Sequence, residues 1–506
     1  MRLARNMAAG MANSVVLVLI NLIALPFYLR FLGMEAYGLI GFYATLQAVL
    51  QVLDLGLAPT VSREIAHGAE TGQQRRSASL LRTLGVVYVG VAVAIAAIVA
   101  SIAPWIGAHW LQAKALPEAT VAQAVALMGV NLACRWPISL YHGALVGAHR
   151  LARSAATSMT INILAAITTL SVLAWGVRSI QAFFVVQAGF GLLQAIVLRV
   201  LARRAVGERG APYDFGDLKR VGHFSAWMGG VAIGGLLLTQ VDKLVLSRTL
   251  DLATFGHYVL ATLVVSGLQV LTTPLFSALF PKLSALLARG DIVSLEYLYD
   301  AGTRLFATAL FAIAFLLVFQ VGALLDIWLR NPALSADVAP LVAWMAIGMS
   351  LSGIMYFPYT LQLAAGKPRL AFFTTLVLLL VMLPLVILLA VRFGARGGAW
   401  AWAILGVLHV LLGTWLTGRK VMAFAGWPWL TRNVVVPFMA TLLPALLGAW
   451  ICRTLAVGPW VAAGIGGLAA LAGIGLGVAG TFAPREFRRV IDMALGRPTP
   501  AGHGLS

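Results

Sequence analysis

Ionisable and amide side chains lie inside long apolar segments of this chain. The apolar segment 119–147 carries Asn131, Arg135 and His142, which share one helical face because they are four and then seven residues apart. A guanidinium at a helix centre costs about 2.5–3.5 kcal/mol to insert into a bilayer, so it normally faces a water-filled cavity or a partner. Its paired N–H donors match phosphate oxygens. We therefore expect Arg135 to bind an anionic group.

Other apolar segments carry similar polar stripes, concentrated in the first, second, fourth and seventh segments. In the second, Gln47, Gln51 and Asp54 follow an i, i+4, i+7 spacing. We expect these stripes to line one cavity. The candidate substrate-binding residues are Asn21, Arg30, Gln47, Gln51, Asn131, Arg135, Gln240, Lys243 and Arg248. The candidate ion-coupling residues are Asp54, Asp242 and His142.

Several of these residues also fit structural roles. Asp242 and Lys243 can neutralise each other, and Arg30 and Arg248 can extend to phosphates at the membrane edge. His142 also fits a hydrogen bond between helices, and the amide side chains fit polar contacts between packed helices. The sequence leaves these alternatives open.

The composition is that of a membrane protein. Hydrophobic residues make up 61% of the chain and charged residues 10%, against about 45–50% and about 25% in soluble domains. A helix needs about 20 apolar residues to cross a bilayer. The sequence therefore predicts an all-α polytopic membrane protein with about 14 spans. Kinks are expected at Pro26, Pro137, Pro274, Pro358 and Pro384. The spans are expected near 7–31, 37–61, 80–103, 119–147, 154–176, 180–200, 223–248, 255–281, 303–323, 340–364, 370–391, 397–417, 433–454 and 459–482.

The cations of the chain fall mostly on alternate connections. Of 36 Lys and Arg residues, 26 lie on one set of connections, which the positive-inside rule places in the cytoplasm. Eight lie on the outer set, namely Arg30, Lys114, Arg178, Arg248, Arg330, Arg392, Arg396 and Arg453. This asymmetry predicts an even-pass membrane protein with both termini cytoplasmic. Anionic lipids are the expected counterions, and no nucleic-acid partner is expected because the cations form no single basic face.

Similar residues recur 218 positions apart in the chain, which indicates an internal repeat of two similar halves. The first copy comprises Arg30, Leu32, Tyr37, Gly38 and the run 50–53 (LQVL), and the second comprises Arg248, Leu250, Phe255, Gly256 and the run 268–271 (LQVL). Six predicted helices separate the copies, so the repeat is parallel, a design found in transporters. The expected organisation is a six-helix bundle over 1–200, a cytoplasmic linker over 201–222, a second six-helix bundle over 223–417, two additional helices over 418–482 and a cytoplasmic tail over 483–506.

Motifs for common chemistries are missing from the sequence. There is no Walker A loop, and the two cysteines, Cys134 and Cys452, have no metal-binding spacing. External connections are too short to hold a catalytic domain for sugar chemistry. We expect no cofactor, no metal and no enzymatic activity, and we interpret the chain as one that moves a substrate.

The chain resembles polysaccharide flippases of the Wzx type. The residues that carry the resemblance are Phe31-Leu-Gly-Met-Glu-Ala-Tyr-Gly38, Leu53-Asp-Leu-Gly56, Arg63-Glu64, Gln240-Val-Asp-Lys-Leu-Val-Leu-Ser247, Phe255-Gly-His-Tyr258 and Phe280-Pro-Lys-Leu283. The superfamily includes multidrug and toxin extruders and lipid II flippases. The resemblance implies two six-helix bundles in a V with two further helices. It also implies cations in a central cavity, where Arg30, Arg135, Lys243 and Arg248 are the positions available.

The function implied by the resemblance is the flipping of an undecaprenyl-diphosphate-linked oligosaccharide across the bacterial inner membrane by alternating access, for O-antigen, capsule or exopolysaccharide synthesis. Coupling to H⁺ or Na⁺ and cooperation with polymerase or export proteins would accompany it. Two alternatives stay open. A drug and toxin extruder of the same superfamily would need an acidic cavity. Here the ionisable residues within the apolar segments and at their outer rim include more basic than acidic side chains. A membrane-embedded polymerase or glycosyltransferase would need longer external loops.

Overall fold

The structure is all-helical in the part of the chain that it describes. The computed structural model describes residues 2–54, 57–207, 212–213 and 234–479. Ten helices within these ranges are long and apolar enough to cross a membrane. Helices suit this setting because each satisfies its backbone hydrogen bonds internally, as hydrocarbon requires. No strand occurs in these ranges, and Gln112 and Asp251 form an isolated bridge.

The first compact unit spans 1–256. Its helices are α1 (Arg2–Leu32), α2 (Met34–Leu50), α3 (Leu57–Glu70), α4 (Gln74–Trp105), α5 (Glu118–Arg135), α6 (Pro137–Gly147), α7 (Leu151–Trp175), α8 (Ile180–Val206), α9 (described over 234–249) and the start of α10 (Leu252–Ser266). A π-helical turn, Ile106–Trp110, extends α4. Most of the predicted linker 201–222 lies outside the described residues.

The second compact unit spans 257–506. Its helices after α10 are α11 (Thr272–Arg289), α12 (Ile292–Leu329), α13 (Pro332–Ile354), α14 (Tyr356–Ala364), α15 (Pro368–Lys420), α16 (Trp427–Leu430), α17 (Val436–Thr454) and α18 (Pro459–Ala479). Within α15 the backbone leaves helical geometry at Gly394, with φ 59° and ψ −139°. This position lies between the two spans predicted at 370–391 and 397–417. The predicted tail 483–506 lies outside the described residues.

Helix breaks recur at equivalent positions of the two sequence copies. The LQVL runs form 3-10 turns, Gln51–Asp54 in the first copy and Gly267–Leu271 in the second. Each turn is followed by a helix with proline at its third residue, Pro59 and Pro274. Proline lacks the N–H that would continue the preceding helix, which explains the interruption. The two turns therefore overlap in the 218-residue register, although the two prolines are not equivalent in it.

A second pair of breaks falls beside prolines. The α5–α6 helix is interrupted at Trp136, immediately before Pro137, and the α13–α14 helix is interrupted at Met355, three residues before Pro358. Both prolines were predicted to mark kinks. The other three predicted positions, Pro26, Pro274 and Pro384, lie within α1, α11 and α15. The first of these breaks follows Arg135 directly and so lies beside the candidate site.

One packed apolar cluster of the first unit lies where four helices meet. Buried side chains of α3, α4, α6 and α8 form one apolar cluster that includes Val61, Tyr88, Leu140 and Leu198. The cluster provides a rigid support next to the break at Trp136.

Candidate functional site

Arg135 lies at the C-terminal end of α5, held by a side chain from α8. Its Nη2 donates a hydrogen bond to Gln187 Oε1 at 3.0 Å. The Gln187 amide in turn donates from Nε2 to Thr169 Oγ1 on α7 at 3.4 Å. Three helices of the first unit thus fix the direction of one guanidinium.

Arg135 has further N–H donors besides the one on Nη2 that is bound to Gln187. Its Nε is buried and has no hydrogen-bond partner in the structure, while the residue as a whole is partly exposed. Gly191 on α8 makes room for the side chain, since a Cβ there would lie 2.8 Å from Arg135 Cγ. The arginine is therefore oriented by a neutral amide and keeps donors for another acceptor.

Asn131 lies one helical turn before Arg135 and joins the same cluster. It is fully buried, and its Oδ1 accepts a hydrogen bond from the Tyr43 hydroxyl on α2 at 3.1 Å. Its Nδ2 has no partner in the structure. The Tyr43 ring packs edge-on against Phe184, with the ring centroids 5.5 Å apart. Two buried donors of this cluster, Arg135 Nε and Asn131 Nδ2, therefore have no partner in the structure.

The sequence missed three members of this cluster. Gln187 is an amide within a predicted span, and that polarity was an available signal. Thr169 and Tyr43 gave no signal, because threonine and tyrosine are frequent in apolar helices without a ligand. Their involvement depends on how the helices are rotated about their axes, which apolar composition does not determine.

Asp54 lies at the end of the 3-10 turn that follows α2. The Tyr88 hydroxyl on α4 donates a hydrogen bond to Asp54 Oδ1. The Ser139 hydroxyl on α6 lies 3.5 Å from the same oxygen. This carboxylate therefore connects both helix breaks of the first unit to the unbroken α4. Because the turn intervenes, Asp54 does not continue the helical stripe predicted through Gln47 and Gln51.

Lys243 and Asp242 on α9 lie together. Lys243 Nζ is 3.3 Å from Asp242 Oδ1 and donates to the carbonyl oxygen of Thr239 at 2.7 Å. The Asp242 side chain is fully buried. The positive charge of Lys243 is therefore balanced locally, in agreement with the alternative of mutual neutralisation.

Arg30 and Arg248 lie at a different level of the first unit from Arg135. Both are exposed, and the Arg248 guanidinium lies 5.9 Å from the centre of the Trp110 ring. Trp110 is just before α5, whereas Arg135 is at the far end of α5. A helix from Glu118 to Arg135 rises about 25 Å. The outer arginines and Arg135 therefore do not form one cluster.

The other predicted site residues occupy separate positions. His142 Nδ1 is 2.7 Å from Ser154 Oγ on α7, as expected for a contact between helices. Gln240 Nε2 donates to Thr239 Oγ1 at 3.3 Å. Asn21 and Gln51 are exposed and Gln47 is half-buried. The structure thus brings Asn131 and Arg135 into one cluster and leaves these five residues outside it.

The fold defines a class of membrane protein. The structure is similar to that of the lipid II flippase MurJ in an inward closed conformation, with TM-score 0.66 and 12% identity over 96% of this chain and 100% of that chain. It is also similar to an inward-facing multidrug resistance MATE family transporter of the MOP superfamily, with TM-score 0.65 and 13% identity over 80% of this chain and 94% of that chain. The chain has the fold of the MOP superfamily of transporters, as the resemblance predicted.

The family follows from the sequence comparison. A family model described as polysaccharide biosynthesis protein matches residues 3–287, and the chain belongs to this family. A protein of Shigella flexneri named as a candidate O-antigen transporter is 21% identical over 415 residues, covering 80% of this chain and 96% of that protein. The predicted family resemblance is confirmed.

Proposed function

We propose that this protein flips an undecaprenyl-diphosphate-linked oligosaccharide across the bacterial inner membrane by alternating access. Family membership and the O-antigen relative support a lipid-linked saccharide as cargo. The observation that carries the proposal is the setting of Arg135, whose Nη2 is bound to the neutral Gln187 and whose side chain is partly exposed.

The chemistry of this cargo fits the Arg135 cluster. A diphosphate is anionic and cannot cross hydrocarbon without replacement of its hydration shell. The guanidinium supplies paired charged donors to phosphate oxygens. Asn and Gln side chains elsewhere can exchange hydrogen bonds with sugar hydroxyls, while the polyprenyl tail stays in lipid.

The outer arginines have a separate role in this proposal. Arg30 and Arg248 are exposed and lie far along the bundle from Arg135. The diphosphate therefore meets them after it leaves Arg135, near the outer mouth. The cargo enters from the cytoplasmic side, where both termini lie. Asp54 is the proposed residue for H⁺ or Na⁺ coupling, because its carboxylate links two helix breaks to α4.

The test is complementation of a strain that lacks the native protein, with surface polysaccharide as the readout. Each hydrogen bond to a charged group contributes about 1.5–3 kcal/mol, so Arg135→Ala should lower polysaccharide roughly ten- to hundred-fold at equal protein level. Arg135→Lys should give an intermediate loss, since the charge remains and the paired donors do not.

The matched control is Arg392→Ala, an exposed arginine of the second unit, which should leave polysaccharide unchanged. Normal polysaccharide with Arg135→Ala would contradict the assigned site. A wild-type protein that restores drug resistance but no polysaccharide would contradict the proposed cargo.

A further inference from the structure

Glu35 is a motif residue that the Arg135 site does not use. It is the second residue of α2 and its carboxylate is buried. Its two oxygens accept backbone N–H bonds from Lys114, Ala115 and Leu116 at 2.9–3.0 Å. One carboxylate therefore holds three consecutive amides of the connection between α4 and α5. We call residues 110–116 the strap.

The other side of the strap is bound to the turn between α9 and α10. Trp110 Nε1 donates to Ser247 Oγ at 3.1 Å, and Gln112 Nε2 donates to the Arg248 carbonyl at 3.0 Å. In return, the Leu252 N–H donates to the Gln112 carbonyl at 2.9 Å. The strap therefore joins the α1–α2 turn to the α9–α10 turn, which are equivalent in the two sequence copies.

One ion pair reinforces this second side. Lys114 Nζ lies 3.8 Å from Asp251 Oδ2. Burial tends to raise the pKa of Asp251, but hydrogen bonds from Thr254 and the charge of Lys114 outweigh it and hold the pKa below its ordinary value. The carboxylate is therefore ionised at neutral pH.

The two joined turns also touch directly. A Cβ at Gly38 would lie 2.3 Å from the Leu252 carbonyl oxygen, and a Cβ at Gly256 would lie 2.9 Å from the Met34 carbonyl oxygen. Met34 and Leu252 are equivalent in the 218-residue repeat, as are Gly38 and Gly256. One contact thus occurs twice, related by the internal symmetry, and glycine permits the close approach.

We propose that the strap is a releasable clasp that holds these two turns together, and that Glu35 is the positioning residue that keeps it on α2. The inference rests on the proposed function, in which the cargo leaves at the outer end, where Arg30, Lys114 and Arg248 are assigned. The turns must separate for this exit to open.

The strap is bound to α2 on one side and to the α9–α10 turn on the other, and the types of bond on each side determine which side separates. Glu35 makes charge-assisted bonds to three amides in a buried position, whereas Ser247, Arg248 and Leu252 make neutral bonds and the Lys114–Asp251 pair is exposed on the lysine side. The strap therefore stays with α2 and separates from the α9–α10 turn.

Cross-linking tests whether release is required. In a Cys134→Ala, Cys452→Ala background, Lys114→Cys with Asp251→Cys is joined by oxidation or by a short bifunctional thiol reagent. Flipping of lipid-linked oligosaccharide should fall at least about ten-fold relative to the same protein before cross-linking, and reductant should restore it. Single-cysteine variants treated alike control for the reagent. A cross-linked protein that flips at its uncross-linked rate overturns the clasp.

Spin-label distances test the clasp without relying on transport. Labels at Ala115 and Thr249 in proteoliposomes, with and without lipid-linked oligosaccharide, should show two distance populations. Labels at Ala115 and at Ala44 on α2 should show one distance population. The Glu35→Gln substitution should broaden this population in a protein that still folds.

The outcomes separate the two proposals. A single Ala115–Thr249 distance under every condition overturns the clasp, whether or not cargo moves. Lengthening of the Ala115–Ala44 distance in step with release overturns the role of Glu35. Two Ala115–Thr249 populations in a protein that moves no lipid-linked oligosaccharide support the clasp and contradict the proposed cargo.

Discussion

At the scale of single residues, the decisive feature is that a neutral amide orients Arg135. A carboxylate in place of Gln187 would fix the guanidinium equally well, but it would also cancel its charge. Arginine can pair with carboxylate through two parallel bonds, so such a pair would compete directly with a diphosphate. Glutamine at this position orients the arginine without cancelling its charge.

The first prediction at this scale concerns Gln187. Gln187→Glu should lower surface polysaccharide by about ten-fold or more at equal protein level, because the new charge neutralises Arg135. Gln181→Glu makes the same change on the same helix, at a partly exposed amide bonded to Gln123, and should have little effect. Equal activity of the Gln187→Glu and wild-type proteins would show that a free guanidinium is unnecessary.

The second prediction concerns the space that Arg135 occupies. Gly191→Ala places a methyl group 2.8 Å from Arg135 Cγ, so the flexible side chain must shift away from Gln187. Polysaccharide should fall several-fold while protein level is retained. Gly189→Ala is the control on the same helix, with no neighbouring atom within 4 Å. Equal loss in both variants would indicate a general effect on α8 rather than on the arginine.

The sequence indicated part of the site at this scale. The stripe of Asn131 and Arg135 was predictable, because a charge inside an apolar helix is rare and the i, i+4 spacing is local. The partners Tyr43, Thr169 and Gln187 were not predictable, because their positions depend on packing between distant segments. The pairing of Lys243 with Asp242 was open in the sequence and is decided by side-chain geometry.

At the scale of elements, helix breaks lie beside two side chains of the proposed mechanism. Asp54 ends one 3-10 turn, and Arg135 precedes the interruption at Trp136. Pro137 predicted the break at Trp136. The 3-10 turn at Gln51–Asp54 was not predicted, because an apolar run such as LQVL fits an α-helix and a 3-10 turn equally well by composition. Only the duplicated occurrence of this run in the chain hints at a special role.

The third prediction concerns the crossing of α3 and α6. A Cβ at Gly143 would lie 2.5 Å from the Ala58 carbonyl oxygen, and a Cβ at Gly147 would lie 2.3 Å from the Ser62 carbonyl oxygen. Backbone atoms cannot move aside as a side chain can, and overpacking costs about 1–3 kcal/mol. Gly147→Ala should therefore lower the Tm in detergent by several degrees. Gly90→Ala on α4, which meets no atom within 4 Å, should not.

At the scale of the whole molecule, long apolar segments determine the fold class. The requirement for internal hydrogen bonding in hydrocarbon makes helices the expected structure, and the described part of the chain contains ten helices that could span a bilayer. The expected total of about 14 stays a prediction. Orientation in the membrane depends on the distribution of Lys and Arg, which the fold itself does not express.

The fourth prediction concerns this orientation. Because 26 of 36 cations fall on the set assigned to the cytoplasm, a green fluorescent protein fused after Ser506 should fluoresce. Alkaline phosphatase fused after Ala115, in the strap, should be active, whereas the same fusion after Gly207 should be inactive. Active phosphatase at both positions would contradict the assigned topology.

The central claim is that Arg135 binds the diphosphate of a lipid-linked oligosaccharide during transport. The direct measurement is the rate at which purified protein in proteoliposomes flips undecaprenyl-diphosphate-linked oligosaccharide, compared between wild type, Arg135→Lys and Arg135→Ala. We predict transport by the wild type, a partial loss with lysine and a loss of roughly ten-fold or more with alanine. Transport by Arg135→Ala at the wild-type rate would contradict the account.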